Sequence, residues 1–181
     1  MEIKYRIELP ELVKELRMPL TAAELGCAEG YFSAELLKAG ITLLYMVDNY
    51  GTIQNAFGDG ASPQEWHERN MSQALGRASQ YSTATVELLR GISWDMASKV
   101  KDDSLGLLYL DACHTYDCVK KDLEAWFPKV KQGGIVAGHD FLNKSYGVNQ
   151  AVHEFAGKHG YEVKTIMENK DEDAGFYFLK R

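Results

Sequence analysis

Carboxylates and imidazoles stand where the apolar runs of this sequence stop. Asp48 follows TLLYMV, Asp111 follows SLGLLYL, and His139-Asp140 follows GIVAG. A buried strand has no packing reason to end on a charged or titratable side chain. His114 stands three residues after Asp111. Carboxylate oxygen and imidazole nitrogen together suit a divalent cation. Histidine, with an unperturbed pKa near about 6.5, also suits proton transfer. A plainer reading competes: Asp111 caps the helix through Tyr116, Asp140 is a turn residue, and His139 bonds a backbone carbonyl.

A second cluster is Glu24-Leu25-Gly26-Cys27-Ala28-Glu29-Gly30. Gly26 and Gly30 bracket a turn that leads from an apolar run into a helical one. Glycine there lets backbone approach a ligand closely. Asp48 ends the next apolar run, where an acid accepts hydrogen bonds from ribose hydroxyls. A dinucleotide fingerprint, GxGxxG, needs a middle glycine, and here that position is Ala28. Glu29 would place negative charge near a phosphate, and no GxxxxGK[ST] run is present. A nucleoside without phosphates fits better, and S-adenosylmethionine is the common one. The structural alternative is a tight turn with a capping Asp48.

These groups need elements to hold them. TAAEL (21–25), TLLYMVD (42–48), TATVELL (83–89), SLGLLYLD (104–111) and GIVAGHD (134–140) read as strands. Residues 11–18, 31–40, 63–80, 116–127 and 147–160 read as helices, with Pro19 and Pro128 as stops. YEVKTIM and GFYFLKR close the chain as two strands with no helix between them, an antiparallel edge pair. Alternation of strand and helix predicts an α/β fold with a mostly parallel sheet. In such a sheet, ligands bind at the carboxyl ends of the strands. That edge collects Glu24–Gly30, Asp48, Gly91-Ile92-Ser93, Asp111 and His139-Asp140.

The chain of 181 residues suits one domain, 1–181, with a short helical segment over 1–20. A net charge of −6 and the lack of a Lys/Arg run argue against nucleic acid as partner. Three cysteines (Cys27, Cys113, Cys118) without a CxxC fit a reducing compartment. MEIKYRIELP has no apolar core of a signal peptide, and no run reaches bilayer length, so no membrane partner and a cytoplasmic location are expected. A symmetric homodimer would be ordinary for such an enzyme. Residues 50–80 carry aromatics and glycines and could form a lid, and residues 141–149 are a second place to look for substrate contacts.

ELGCAEGYFS, VDNY, LLRGISWD, YLDACHTYDCV and GGIVAGHDF resemble the successive motifs of class I S-adenosylmethionine-dependent methyltransferases. The likeness covers most of residues 20–180 and is nearest the catechol O-methyltransferase branch and its relatives that methylate macrolide sugars. It implies a Rossmann-like, doubly wound, seven-stranded sheet in order 3-2-1-4-5-7-6, strand 7 antiparallel, with helices on both faces. It implies Glu24 and Gly26 beside the methionine part of the cofactor and Asp48 on the ribose. Ser93 would take the adenine edge, with Trp94 covering it and Asp111 completing the cofactor site. It implies a divalent ion, Mg²⁺ or Mn²⁺, on Asp111, His139 and Asp140. Here His139-Asp140 replaces the branch's Asp-Asn pair, and His114 stands where that branch has its lysine base. Ile92-Ser93 departs from the acid that many members place near adenine. The expected reaction is O-methylation of a small molecule or sugar, with His114 and Asp111 at the chemistry. A nicotinamide-dependent oxidoreductase is the rival enzyme, and a non-catalytic cofactor-binding module is the rival of another class. GISWD half-resembles the hydrolase elbow GxSxG but ends on Asp95.

Overall fold

Seven strands form one sheet in the order β3-β2-β1-β4-β5-β7-β6. The computed structural model describes residues 3–51, 62–167 and 174–181. Strands β1 (Thr21–Leu25), β2 (Leu43–Asp48), β3 (Thr85–Arg90), β4 (Leu105–Leu110) and β5 (Val130–Gly138) run parallel. Strand β7 (Ala174–Leu179) is antiparallel to both β5 and β6 (Lys164–Met167). Order and orientation agree with the expectation from sequence.

The apolar runs are continuous because the central strands are covered on both faces. Every residue of β4 is buried. Leu107 and Tyr109 enter one core with Ala22, Leu44 and Met46, while Leu108 and Leu110 enter the other with Ala23, Leu25 and Val47. Each buried leucine contributes roughly 1.5–3 kcal/mol. The first core is roofed by α1 (Leu9–Glu15), α2 (Tyr31–Lys38) and α3 (Gln64–Ala78). The second is roofed by α4 (Ser93–Met96), α5 (Tyr116–Trp126) and α6 (Val148–His159).

Several boundaries differ from the sequence reading, those of α1 and β5 the most. Helix α1 starts at Leu9, with Pro10 in its first turn, and ends at Glu15. The chain leaves it through Arg17 at φ 54, before Pro19. Strand β5 starts at Val130, four residues earlier than GIVAGHD, and its register with β4 shifts between Leu105 and Leu107. The exposed Lys131 and Gln132 hide that start in the sequence. Of the expected lid, 52–61 lie outside the described residues, and α3 is an ordinary amphipathic helix packed on α2. Among the described residues no helix is long and apolar enough to cross a membrane.

Candidate active site

The turn after β1 is held by the ends of its neighbours. Gly26 has φ +86, and a Cβ there would lie 2.0 Å from the Asp111 carbonyl oxygen. Its N–H donates to Val47 O at 2.8 Å, and Asp111 N–H donates to Leu25 O at 2.7 Å. Only glycine fits this convergence of β1 and β4. Gly30, φ +78, starts α2, and a Cβ there would lie 2.7 Å from Ala74 Cα on α3. The turn therefore has helix α3 behind it and β4 beside it.

Asp48 is the clamp of this turn. Its Oδ2 accepts from Cys27 N–H at 2.9 Å and Ala28 N–H at 3.0 Å, and its Oδ1 accepts from Tyr50 N–H at 2.9 Å. Sequence spacing reads Asp48 as a ribose acceptor; the structure adds three backbone donors to its work. A carboxylate offers about four acceptor sites, so one direction stays open to a hydroxyl. Tyr50 Oη donates to Ala28 O at 3.1 Å, and Arg77 Nη1 donates to Glu29 O at 2.6 Å.

Glu24 lies beneath the turn, only 2% exposed. Burial pushes its carboxyl up to about 8, against the opposing hydrogen bond from Ser33 Oγ; nearby Asp111 raises it further and Arg6 lowers it. Arg6 reaches this place from the N-terminal segment, with its guanidinium 4.4 Å from the centre of the Phe32 ring. Ser93 opens α4 and is buried, with its carbonyl accepting from Trp126 Nε1 at 2.9 Å. The Trp94 ring carries Lys121 Nζ 4.9 Å from its centre.

At the ends of β4 and β5 four side chains form a ring. His114 Nε2 lies 3.4 Å from Asp111 Oδ1 and 3.2 Å from Asp140 Oδ2. His139 Nδ1 lies 3.0 Å from Asp140 Oδ2 and 3.6 Å from Asp111 Oδ1. Backbone places each of them. His139 N–H donates to Leu110 O at 3.0 Å, and Gly147 N–H donates to His114 O at 2.9 Å. Asp140 adopts φ 54, which turns the chain sharply out of β5. Burial raises the Asp111 carboxyl above its ordinary range, opposed by the His114 hydrogen bond and the His139 charge.

One ligand atom each from Asp111, His139 and Asp140 lies within 4.8 Å of the others. Two carboxylate oxygens and one imidazole nitrogen at this separation fit a single divalent cation. The mixed donor set suits Mn²⁺ as well as Mg²⁺. The capping alternative for Asp111 does not hold, because Thr115 caps α5, its side chain accepting from Cys118 N–H. A small cavity beside the ring is lined by Asp111, Ala112, Cys113, His114, Asp122 and His139.

The sequence reading singled out none of three neighbours, although Tyr146 falls within the 141–149 stretch it named for substrate contacts. Tyr146 stacks on the His114 ring, centroids 4.7 Å apart at 19°. Arg6 is remote in sequence from everything it serves. Asp122 is an acid inside α5 that looks like part of a solvated helix face yet is 2% exposed. The cue available in sequence was its place in the Cys118, Asp122, Trp126 stripe.

Comparison with known proteins bears on the family and the fold. The sequence family described as "Methyltransferase domain" matches residues 23–141. The protein y4gI of Sinorhizobium fredii is 30% identical over 141 residues, covering 75% of this chain and 14% of y4gI. The chain thus spans a small part of that relative's length. The solved O-methyltransferase NovP superposes with a TM-score of 0.70 at 21% identity, covering 96% of this chain and 77% of that one. The calicheamicin methyltransferase CalS11 gives 0.68 at 16% identity, covering 96% and 77%. TomG from Streptomyces achromogenes, an O-methyltransferase solved in complex with SAM, gives 0.67 at 16%, covering 97% and 79%. At these identities the structural likeness establishes the fold. The family match runs from Ala23 to Phe141 and takes in both the glycine turn and the Asp/His ring; the chain belongs to the methyltransferase-domain family.

Proposed function

We propose that this chain transfers the methyl group of S-adenosylmethionine to an oxygen of a small molecule or sugar, assisted by a divalent ion. The observation that carries the reading is the contact between its two halves. Gly26 of the glycine turn lies against the backbone of Asp111, whose side chain belongs to the Asp/His ring. A nucleoside held by the turn and an oxygen held by the ring would therefore meet at one place on the sheet edge. TomG, in complex with SAM, and NovP, an O-methyltransferase, share the fold and support the donor and the class of acceptor atom.

Each residue has a role that its geometry suits. Gly26 and Gly30 bring the turn's backbone up to the cofactor, with Glu24 beneath it. Asp48 holds the turn and offers its remaining acceptor direction to the ribose. Ser93 and Trp94 stand at the adenine end. S-adenosylmethionine supplies an electrophilic methyl on its sulfonium. Asp111, His139 and Asp140 would hold the cation, which when bound would lower the pKa of an acceptor hydroxyl. His114 takes the acceptor's proton. The resulting imidazolium is stabilised by Asp111 and Asp140, at 3.4 and 3.2 Å. The acceptor oxygen bonds to the methyl carbon as the carbon–sulfur bond breaks, and the thioether product leaves neutral at sulfur. Tyr146, against the His114 ring, forms a wall of the acceptor side.

Calorimetric titration with S-adenosylmethionine, with chelator and then with Mn²⁺, tests the reading. Micromolar binding, followed by methyl transfer to hydroxyl acceptors that falls in chelator, is the expected result. Binding without transfer to any of a broad acceptor panel would favour a cofactor-binding module. No binding in either condition would remove the donor.

A further inference from the structure

His114 stands between β4 and α5, outside any helix or strand. A histidine side chain turns about two bonds, and the wells of the outer one are broad. Something beyond its own element must therefore set its ring. The link 139–147, which joins β5 to α6, does so at two adjacent positions. Gly147 N–H donates to the His114 carbonyl at 2.9 Å, and the Tyr146 ring lies 4.7 Å from the His114 ring at 19°. The first contact fixes the backbone of His114, and the second fixes the plane of its imidazole.

The link is itself tied down. Phe141 N–H donates to Ala174 O at 2.8 Å, Asn143 N–H to Asp140 O at 3.2 Å, and Tyr146 N–H to Asn143 O at 3.2 Å. Asn143 Oδ1 accepts from Ser145 N–H at 3.1 Å, and Asn149 Nδ2 donates to Phe141 O at 3.1 Å. Gly147 lies against α5, where a Cβ would stand 2.2 Å from Tyr116 N. An exposed tyrosine on a loop needs no role. One laid parallel on a histidine, beside a glycine that bonds the same residue's backbone, has one. The carboxylates hold the ring differently. Asp111 Oδ1 and Asp140 Oδ2, at 3.4 and 3.2 Å from Nε2, select the edge that faces them. A cation would draw on those same carboxylates. The Tyr146 face and the Gly147 N–H use neither, so their hold is independent of what the carboxylates bind.

We infer that Tyr146 is a positioning residue for the base: by stacking on His114 it holds the imidazole in the plane that faces Asp111 and Asp140, so that an acceptor hydroxyl meets a ring already in place. This rests on the role of base given to His114 above. Pre-setting a reacting group in this way acts on turnover more than on binding. The link that begins at His139-Asp140 and ends at Tyr146-Gly147 thus places both the cation's ligands and the ring of the base.

The test compares Tyr146→Ala and Tyr146→Phe with the wild type by two readouts. At 39% exposure Tyr146 can be removed without opening the core, so both variants should fold. The first readout is the His114 ring signals of protein carrying ¹³C-labelled histidine, assigned by their loss in His114→Gln. The wild type should give one sharp set, shifted upfield by the aromatic face above it. Tyr146→Ala should lose that shift and broaden the signals, and Tyr146→Phe should keep both features. The second readout is methyl transfer from S-adenosylmethionine to catechol and to methyl glucoside as probe hydroxyls. In Tyr146→Ala kcat should fall about tenfold, with acceptor KM and S-adenosylhomocysteine affinity within about threefold. Tyr146→Phe, which keeps the flat face, should recover most of that loss. Adding Tyr146→Ala to His114→Gln should lower kcat no further, because the tyrosine acts only through the histidine. Unchanged ring signals in Tyr146→Ala overturn the inference. So does a raised KM at unchanged kcat, which would make Tyr146 an acceptor contact only. Wild-type protein that methylates neither probe counts against the acceptor class, and a fully active His114→Gln counts against the base. In both cases the ring signals still decide whether Tyr146 holds His114.

Discussion

At the ends of β1 and β2 the acid Asp48 is met by backbone N–H groups, whereas at the ends of β4 and β5 Asp111 and Asp140 are met by imidazoles. Backbone donors are neutral, always present and fixed by the strands that carry them. Imidazoles gain or lose a proton near neutral pH and can be displaced by a cation. The first half is therefore complete without a ligand. The second is a balance of charges, set by whatever proton or ion sits among its members. One half suits the holding of a cofactor in a fixed pose, and the other suits chemistry that moves a proton.

The difference can be broken most severely at Gly26. Alanine there would place a Cβ 2.0 Å from a backbone oxygen, at a φ of +86 that side chains avoid. The expected loss is about 3 kcal/mol or more, enough to unfold a marginal domain. Denaturant unfolding measures it, and an unchanged midpoint would mean that the two halves are not packed as described. Asp140→Asn attacks the other half alone. The fold and cofactor affinity should hold within about threefold, while kcat falls about 100-fold and the response to added Mn²⁺ disappears. Equal loss of cofactor binding would show that the halves are not separable.

His114→Gln sharpens the comparison further. The variant keeps a polar side chain beside Asp111 and Asp140 but cannot act as a base. About 100-fold in kcat/KM should be lost, and with it the rise of activity through the pH range where histidine deprotonates. A surviving pH profile would move the base to another residue, His139 being the nearest choice.

How much of this was legible beforehand follows the same division. The strands are readable because short apolar runs bounded by glycine or acid seldom form anything else in an alternating chain, and TAAEL begins and ends where β1 does. The start of β5 is not, because Lys131, Gln132 and Gly133 break the run inside the strand, where its register with β4 shifts. Asp111, His139 and Asp140 are readable as strand ends on one edge. That His114 faces both carboxylates depends on how the β4–α5 stretch is tied to Gly147, a contact between distant positions. Asp48 shows the limit most clearly. Its position points to a ribose, but its three backbone bonds arise from the fold of a turn that spacing alone does not describe.

Glu24 offers the cleanest sign. It belongs to the rigid half, yet it is titratable, with burial raising its carboxyl to about 8 from an ordinary value of 4.5. Between those two values the unfolded chain has released this proton and the folded chain still holds it. The folded state then binds more protons, so this group makes stability fall as pH rises, by at most about 1.4 kcal/mol per pH unit, and the fall ends above about pH 8. Below about pH 4.5 both states hold the proton and the contribution is flat. Glu24→Gln keeps the shape and an acceptor for Ser33 Oγ but has nothing to ionise. Its stability should exceed that of the wild type at about pH 8 and match it at about pH 5, read from denaturant midpoints across that range. If the two curves instead run parallel, Glu24 is ionised in the folded protein, and the glycine-turn half would carry a buried charge as the Asp/His half does.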